Sequence, residues 1–169
     1  MKISNRLGIL VLIAGVVMAT WAISRSIDHV PLRLATHFDA GGKADGWMDR
    51  DRFRISMGAA MAALSLFLIL VTLLIRHLPD RFINLPNRQF WFSPQRRDEA
   101  FAAILDFGMA AAGATLWLFS MLYREVIRAN ETPGALFSPS WQVMTLSMLI
   151  IGVGLIRLWM KFASTPASR

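Results

Sequence analysis

The residues best suited to chemistry cluster in one loop of the chain. His37, Asp39, Asp45 and Asp49 lie close together in it. An imidazole with several carboxylates is a ligand set that zinc or manganese accepts, although the spacing here fits no metal motif or calcium loop. We favour a structural interpretation, in which Asp45 forms a turn with Gly46 and His37 hydrogen-bonds the loop. Metal binding stays the alternative, and no cofactor is expected.

Asp106 stands apart, because it is the one acid in a long apolar segment. A carboxylate inside a membrane span costs about 2.5 kcal/mol or more. Asp106 lies about six residues into its segment, roughly 9 Å along a helix. It could therefore pair with a base such as Arg97 or reach headgroup-level water, or it could handle protons. No serine nucleophile beside a base and no phosphate-binding loop is visible, so an enzyme is less expected than a binding protein.

The composition predicts a membrane protein that must hold these residues in place. Of 169 residues, 55% are hydrophobic, and the mean hydropathy is +0.47. The chain has no cysteine, which excludes disulfides and cysteine-based metal sites. The net charge of +7 comes from loop arginines rather than from a basic soluble domain, so nucleic acid is not an expected partner.

Four apolar segments predict four membrane spans and an all-α integral membrane protein forming one domain, residues 1–169. The spans are expected at 7–23, 55–75, 100–122 and 143–160. The first segment could instead be a cleaved signal peptide, but Trp21 stands where an interfacial anchor belongs, which favours a retained span. Gly58 and Ala62 form a small-xxx-small pair that predicts a close helix contact.

The stretch between the first two spans, residues 25–54, is expected to be an ordered loop. Pro31 and the glycines Gly41, Gly42 and Gly46 allow tight turns. The loop also contains apolar residues that a flexible linker lacks. We therefore predict a compact cap at one face of the membrane.

The distribution of bases predicts the orientation. Ten bases fall on the side of the termini and eight on the other, and the second loop has five arginines against two in the third. The positive-inside rule then places both termini in the cytoplasm and the His37 loop outside the inner membrane. The aromatics and arginines of 76–99 suit the headgroup level.

Two short motifs carry a resemblance to a known family. The first comprises His37-Phe38 and Gly42-Lys-Ala-Asp45-Gly46-Trp47, and the second comprises Asn84-Leu-Pro-Asn87 with Trp91. Together they resemble a bacterial membrane family of unknown function, best known from the N-terminal half of SdpI-type toxin-immunity proteins. The resemblance implies a multi-span membrane fold and a possible role in immunity or signalling.

We therefore expect a non-catalytic receptor, protective or signalling protein that engages a peptide, a lipid or a protein partner through its outward loop. The alternative is a membrane enzyme or transporter subunit that uses a metal at His37 and Asp45 or a proton-linked Asp106. The lipid bilayer is the expected environment, and the sequence does not reveal the oligomeric state. The candidate binding residues are His37, Phe38, Asp45, Gly46, Trp47, Asn84, Pro86, Asn87, Trp91 and Asp106.

Overall fold

The computed structural model describes residues 7–25, 27–132, 134, 136–137 and 141–164. Its helices are α1 (Leu7–Ser24), α2 (Arg50–Leu74), α3 (Arg88–Trp91), α4 (Arg97–Ala129) and α5 (Trp141–Ala163). Two strands lie between α1 and α2, namely β1 (Arg33–Phe38) and β2 (Ala44–Asp49). Short 3₁₀ turns at Ile75–His77 and Asp80–Phe82 follow α2.

Within the part of the chain that the structure describes, four helices are long and apolar enough to cross a membrane, which confirms the predicted number. All four are longer than the apolar segments that predicted them. α2 begins at Arg50 because the Asp49 carboxylate accepts hydrogen bonds from the backbone N–H groups of Asp51 and Arg52, at 3.0 and 3.1 Å. Such a cap satisfies donors that the first helical turn otherwise leaves unpaired. α4 likewise extends from Arg97 to Ala129, well past the predicted 100–122.

α4 is the central helix, and α1, α2 and α5 all pack against it. α1 runs parallel to α4, since Gly8 meets Asp106 and Gly15 meets Gly113. α2 and α5 run antiparallel to α4. The outer faces of α1, α2 and α5 expose large apolar side chains, as helices surrounded by lipid do.

Glycines bring the backbones of α1 and α4 into contact. A Cβ atom on Gly15 would lie 2.4 Å from the Gly113 carbonyl oxygen, and one on Gly113 would lie 2.3 Å from the Val11 carbonyl oxygen. The predicted close contact at Gly58 and Ala62 is wrong within the described chain. The nearest atom to a Cβ on Gly58, on the Ile23 side chain, would be 4.0 Å away. Small residues permit close packing, but only the partner helix decides which of them are used.

The segment before α2 contains a β-hairpin, which corrects the all-α prediction. β1 and β2 pair in antiparallel fashion, with Leu34 opposite Met48 and Ala35 opposite Trp47. The turn between them has Gly42 at a φ of 79°, a left-handed conformation that favours glycine. The Asp39 carboxylate accepts hydrogen bonds from the N–H groups of Gly41 and Lys43, both at 2.9 Å. We call residues 33–49 the hairpin cap.

The hairpin cap and the segment after α2 lie at opposite ends of the helices. The hairpin cap adjoins the end of α4 that carries Tyr123 and Asn130. The segment containing Trp91 packs instead near Ala100, at the beginning of α4, together with Phe162 at the end of α5. The two sequence motifs are therefore separated by the full length of the spans.

Candidate functional site

The hairpin cap is anchored to the helices by buried apolar contacts and by hydrogen bonds. Leu34 is fully buried and belongs to a core cluster with Phe53 and Tyr123, whose rings stack 5.4 Å apart. The side chain of Asn130, just past the end of α4, then clasps β1. Its Oδ1 accepts from the Ala35 N–H at 2.8 Å and its Nδ2 donates to the Ala35 carbonyl at 2.9 Å. Asn130 thus occupies the outer edge of β1 as a neighbouring strand would.

A charged side chain ties the connection before the hairpin cap to α2. Arg50 forms an ion pair with Asp28 at 3.0 Å and donates to the Ile27 carbonyl at 3.2 Å. The backbone N–H of Arg50 also donates to the Leu32 carbonyl at 2.8 Å. Arg50 and Asn130 were both missed by sequence reasoning, because neither belongs to a motif and their partners are distant along the chain.

His37 and Asp45 are brought together on the hairpin cap. Their side chains meet at 2.5 Å, Nδ1 to Oδ1, and the His37 side chain is 76% exposed. The predicted aspartate–glycine turn at Asp45 and Gly46 is wrong, because both residues lie within β2. Gly46 is required for a different reason, since a Cβ there would lie 2.8 Å from the Cβ of His37.

The four candidate metal ligands do not converge. The Asp39 carboxylate accepts hydrogen bonds within the hairpin turn, and that of Asp49 caps α2. His37 and Asp45 form a pair without a third ligand. Over the ranges that the structure describes, no group of three or more histidines and acids is placed to hold a metal ion.

The aromatic residues of the hairpin cap divide into an anchored and an exposed set. Phe38 stacks on Phe137 with ring centroids 4.5 Å apart, and the Phe137 N–H donates to the Gly42 carbonyl at 2.8 Å. Trp47, by contrast, is 52% exposed, and its neighbour Met48 is also exposed. Within the described chain the sheet has two strands only, so the outer edge of β2 has no strand beside it.

The second motif joins helix ends at the opposite end of the molecule. Asn87 adopts a left-handed conformation (φ 50°) and donates to the carbonyls of Phe162 and Ala163 at 3.1 and 2.9 Å. The buried Trp91 donates from Nε1 to the same Phe162 carbonyl at 3.1 Å, and their rings meet edge to face at 5.4 Å. We call Asn87, Trp91 and Phe162 the latch. These contacts satisfy carbonyls that the last turn of α5 leaves without helical partners.

The remaining motif residues contribute less to the latch. Asn84 is exposed and Pro86 is half-buried just before Asn87. The nearby arginines lie over aromatic rings, with Arg96 4.4 Å from the Phe90 centroid and Arg97 close to Phe92. The motif therefore has a clear structural role at Asn87 and Trp91.

Asp106 caps a neighbouring helix. Its Oδ1 accepts a hydrogen bond from the Gly8 N–H at 2.9 Å, in the first turn of α1. Of the alternatives left open for Asp106, pairing with Arg97 is wrong, because Arg97 donates to both carboxylate oxygens of Asp80, at 2.7 and 2.9 Å. A carboxylate facing a helix N-terminus is stabilised by unpaired N–H groups and by the helix dipole. The seven-residue spacing of Gly8, Gly15 and Ala22, the buried residues of α1, is the sequence signal that could have revealed this contact.

A cavity of about 840 Å³ opens beside Asp106, between α1, α4 and α5. Its walls are mostly apolar, and Arg157 and Lys161 of α5 line it together with Asp106. Sequence reasoning counted these two bases only toward orientation. Their four-residue spacing near the end of the last span was the available signal.

The fold and these sites define a membrane protein with four candidate spans, a β-hairpin cap at one end and an aromatic latch at the other. Comparison with protein-family models, curated proteins and solved structures finds no match to this chain.

Proposed function

We propose that this protein is a non-catalytic membrane receptor of the SdpI-like type, whose hairpin cap binds a peptide or protein partner. The observation that carries the proposal is the exposure of Trp47 and Met48 on a hairpin that is otherwise tightly anchored. An exposed tryptophan on a firm support is the kind of residue that dominates binding energy at interfaces. The anchoring by Asn130 and Arg50 lowers the cost of ordering the surface when a partner binds.

The free edge of β2 suggests how a peptide would bind. An extended peptide adds to an exposed strand through backbone hydrogen bonds, and side-chain pockets or aromatics then provide selectivity. The outer edge of β1 is already covered at Ala35 by Asn130, so β2 is the edge that accepts a strand. His37 and Asp45 place a polar pair near this edge, which favours a partner with hydrogen-bonding groups beside an apolar residue.

The proposed location is the bacterial inner membrane, with both termini in the cytoplasm and the hairpin cap outside. The distribution of loop arginines supports this orientation. α1 packs along α4 through its glycines, which favours retention of α1 as a span rather than cleavage as a signal peptide. Reporter fusions at residues 45 and 90 should lie on opposite sides, with residue 45 outside. A cytoplasmic signal from residue 45 would reverse the orientation.

A binding experiment tests the receptor role. Peptides displayed as a random library would be selected against the full protein in lipid nanodiscs, and their affinity measured for variants. We expect Trp47→Ala to weaken binding about tenfold or more, as loss of an interfacial tryptophan does. Trp141→Ala is the matched control, because Trp141 is also highly exposed but lies on α5. Bound peptide should also slow hydrogen exchange of the β2 amides.

Equal affinities for the Trp47→Ala and Trp141→Ala variants would contradict the proposal, as would selected peptides that leave the β2 amides unprotected. The metal-dependent alternative makes a different prediction, in which binding requires a divalent ion and is lost on chelation. The pairing of His37 with Asp45, without a third ligand among the described residues, favours the receptor.

A further inference from the structure

The cavity between α1, α4 and α5 has the shape and lining of a lipid site. Its volume of about 840 Å³ lies within the range of small-molecule sites in proteins. Val11 on α1, Ala110 on α4 and Ile150 and Val153 on α5 form apolar walls. The cavity exists because α4 packs closely with α1 but meets α5 through larger side chains such as Phe107, against which Gly154 lies.

The charged residues of the cavity are gathered toward one end. Arg157 and Lys161 are four residues apart and therefore share one face of α5. Gly154 lies beside Phe107, so Arg157, about one turn further along the antiparallel α5, lies closer to the beginning of α4, the end of the cavity that Lys161 also lines. The apolar walls continue from this level toward the middle of the spans. A polar mouth above an apolar interior matches the layout of a phospholipid.

The three charged residues of the cavity differ in whether they already have a hydrogen-bond or ion-pair partner. The Asp106 Oδ1 accepts from the Gly8 N–H, and Lys161 forms an ion pair with Glu99 at 3.2 Å. Arg157 is exposed and has no ion-pair partner among the residues that the structure describes. A guanidinium at a membrane span that forms no ion pair within the described chain is suited to a phosphate, which it binds with two parallel hydrogen bonds.

We propose that this cavity binds an anionic phospholipid, with the phosphate at Arg157 and an acyl chain along the apolar walls between α1 and α5. Arg157 supplies the positive charge at the mouth, because Lys161 is paired with Glu99 and the Asp106 charge is balanced by the N-terminus of α1. The charge of Arg157 favours an anionic headgroup over a zwitterionic one. The site is independent of the hairpin cap, which lies at the other end of the spans.

Thermal unfolding and native mass spectrometry of the full protein in detergent test this proposal. Phosphatidylglycerol should raise the melting temperature and remain bound in the gas phase more than phosphatidylcholine does. Arg157→Gln should weaken phosphatidylglycerol retention about tenfold, because one charge-assisted contact is lost. Arg76→Gln is the matched control, since Arg76 is exposed just beyond α2 and does not line the cavity. It should leave the retention unchanged.

Two further measurements separate the lipid from other occupants. Val153→Trp obstructs the apolar part of the cavity without changing its charge and should weaken retention, whereas inorganic phosphate alone should not stabilise the protein. Equal losses from Arg157→Gln and Arg76→Gln would overturn the proposal, because binding would then follow general charge. The proposal would also be overturned if phosphatidylcholine were retained as well as phosphatidylglycerol, or if inorganic phosphate alone stabilised the protein. The Arg157→Gln and Arg76→Gln comparison decides the matter even if Val153→Trp does not fold.

Discussion

The hairpin cap and the latch use similar residues in opposite ways. Each contains a tryptophan, and each depends on an asparagine that clasps the backbone of another element. Trp91 in the latch is 4% exposed and donates to the end of α5, whereas Trp47 in the hairpin cap is 52% exposed. The latch therefore uses its aromatics to join α5 to the beginning of α4, while the hairpin cap leaves Trp47 exposed.

The two asparagines show the same contrast. Asn87 donates to two carbonyls at the end of α5, which completes a helix and leaves little for another molecule to bind. Asn130 donates to and accepts from Ala35, which closes one edge of the hairpin and leaves the other open. An asparagine that binds backbone groups can therefore complete the end of a helix, as Asn87 does, or cover one edge of a sheet, as Asn130 does. Side-chain type alone does not distinguish the two uses.

The largest expected effect is the difference in the free energy of unfolding between the Trp91→Ala and Trp47→Ala variants. Trp91→Ala should lower the free energy of unfolding by about 3–5 kcal/mol, because it removes a buried ring and a hydrogen bond to Phe162. Trp47→Ala should change it by less than about 1 kcal/mol, as substitutions at exposed positions usually do. Denaturation of the two variants in mixed micelles measures both values. Similar losses would mean that Trp47 also serves the fold.

The next effect concerns Asn130 at the hairpin cap. Asn130→Ala should cost about 1–3 kcal/mol, because the half-buried edge of β1 loses its partner for both the N–H and the carbonyl of Ala35. Hydrogen exchange should increase in β1 and remain unchanged in α5. An increase that reached α5 as well would show that the hairpin cap is not an independent unit.

A smaller effect concerns the register of the hairpin. Gly46→Val should cost about 1–3 kcal/mol, because the new Cβ would collide with His37 and force the strands apart. Lys43→Ala is the control at an exposed position and should stay within about 0.5 kcal/mol. Thermal unfolding in detergent compares the two. If both variants melted at the same temperature, the hairpin would tolerate displacement of its strands.

The smallest effect is expected at Asp106, which belongs to neither region. Asp106→Asn keeps an oxygen that can accept from Gly8, so its cost should be below about 1 kcal/mol. Asp106→Leu removes the acceptor and should cost about 1–3 kcal/mol. Unfolding of the two variants in detergent measures this difference, and equal stabilities of the two variants would contradict the capping role.

The four long helices were predictable because membrane spans depend on the local length of apolar sequence. The helix boundaries were harder to predict, because a capping residue such as Asp49 starts a helix before its apolar part begins. Gly42 marked a turn, and its left-handed conformation agrees with that prediction. The sequence did not predict that Gly46 lies in a strand. Only the structure shows that a side chain at this position would collide with His37, its partner on β1.

The sequence by itself determined four spans, a glycine-rich segment between the first two and an unusual acid in the third. Only the tertiary structure decided that this segment is a hairpin held by Asn130, that Asp106 caps α1, and that Asn87 and Trp91 hold the end of α5. The physical reason is the range of the interactions. Hydropathy is a sum over neighbouring residues, whereas each of these hydrogen bonds joins residues more than seventy positions apart.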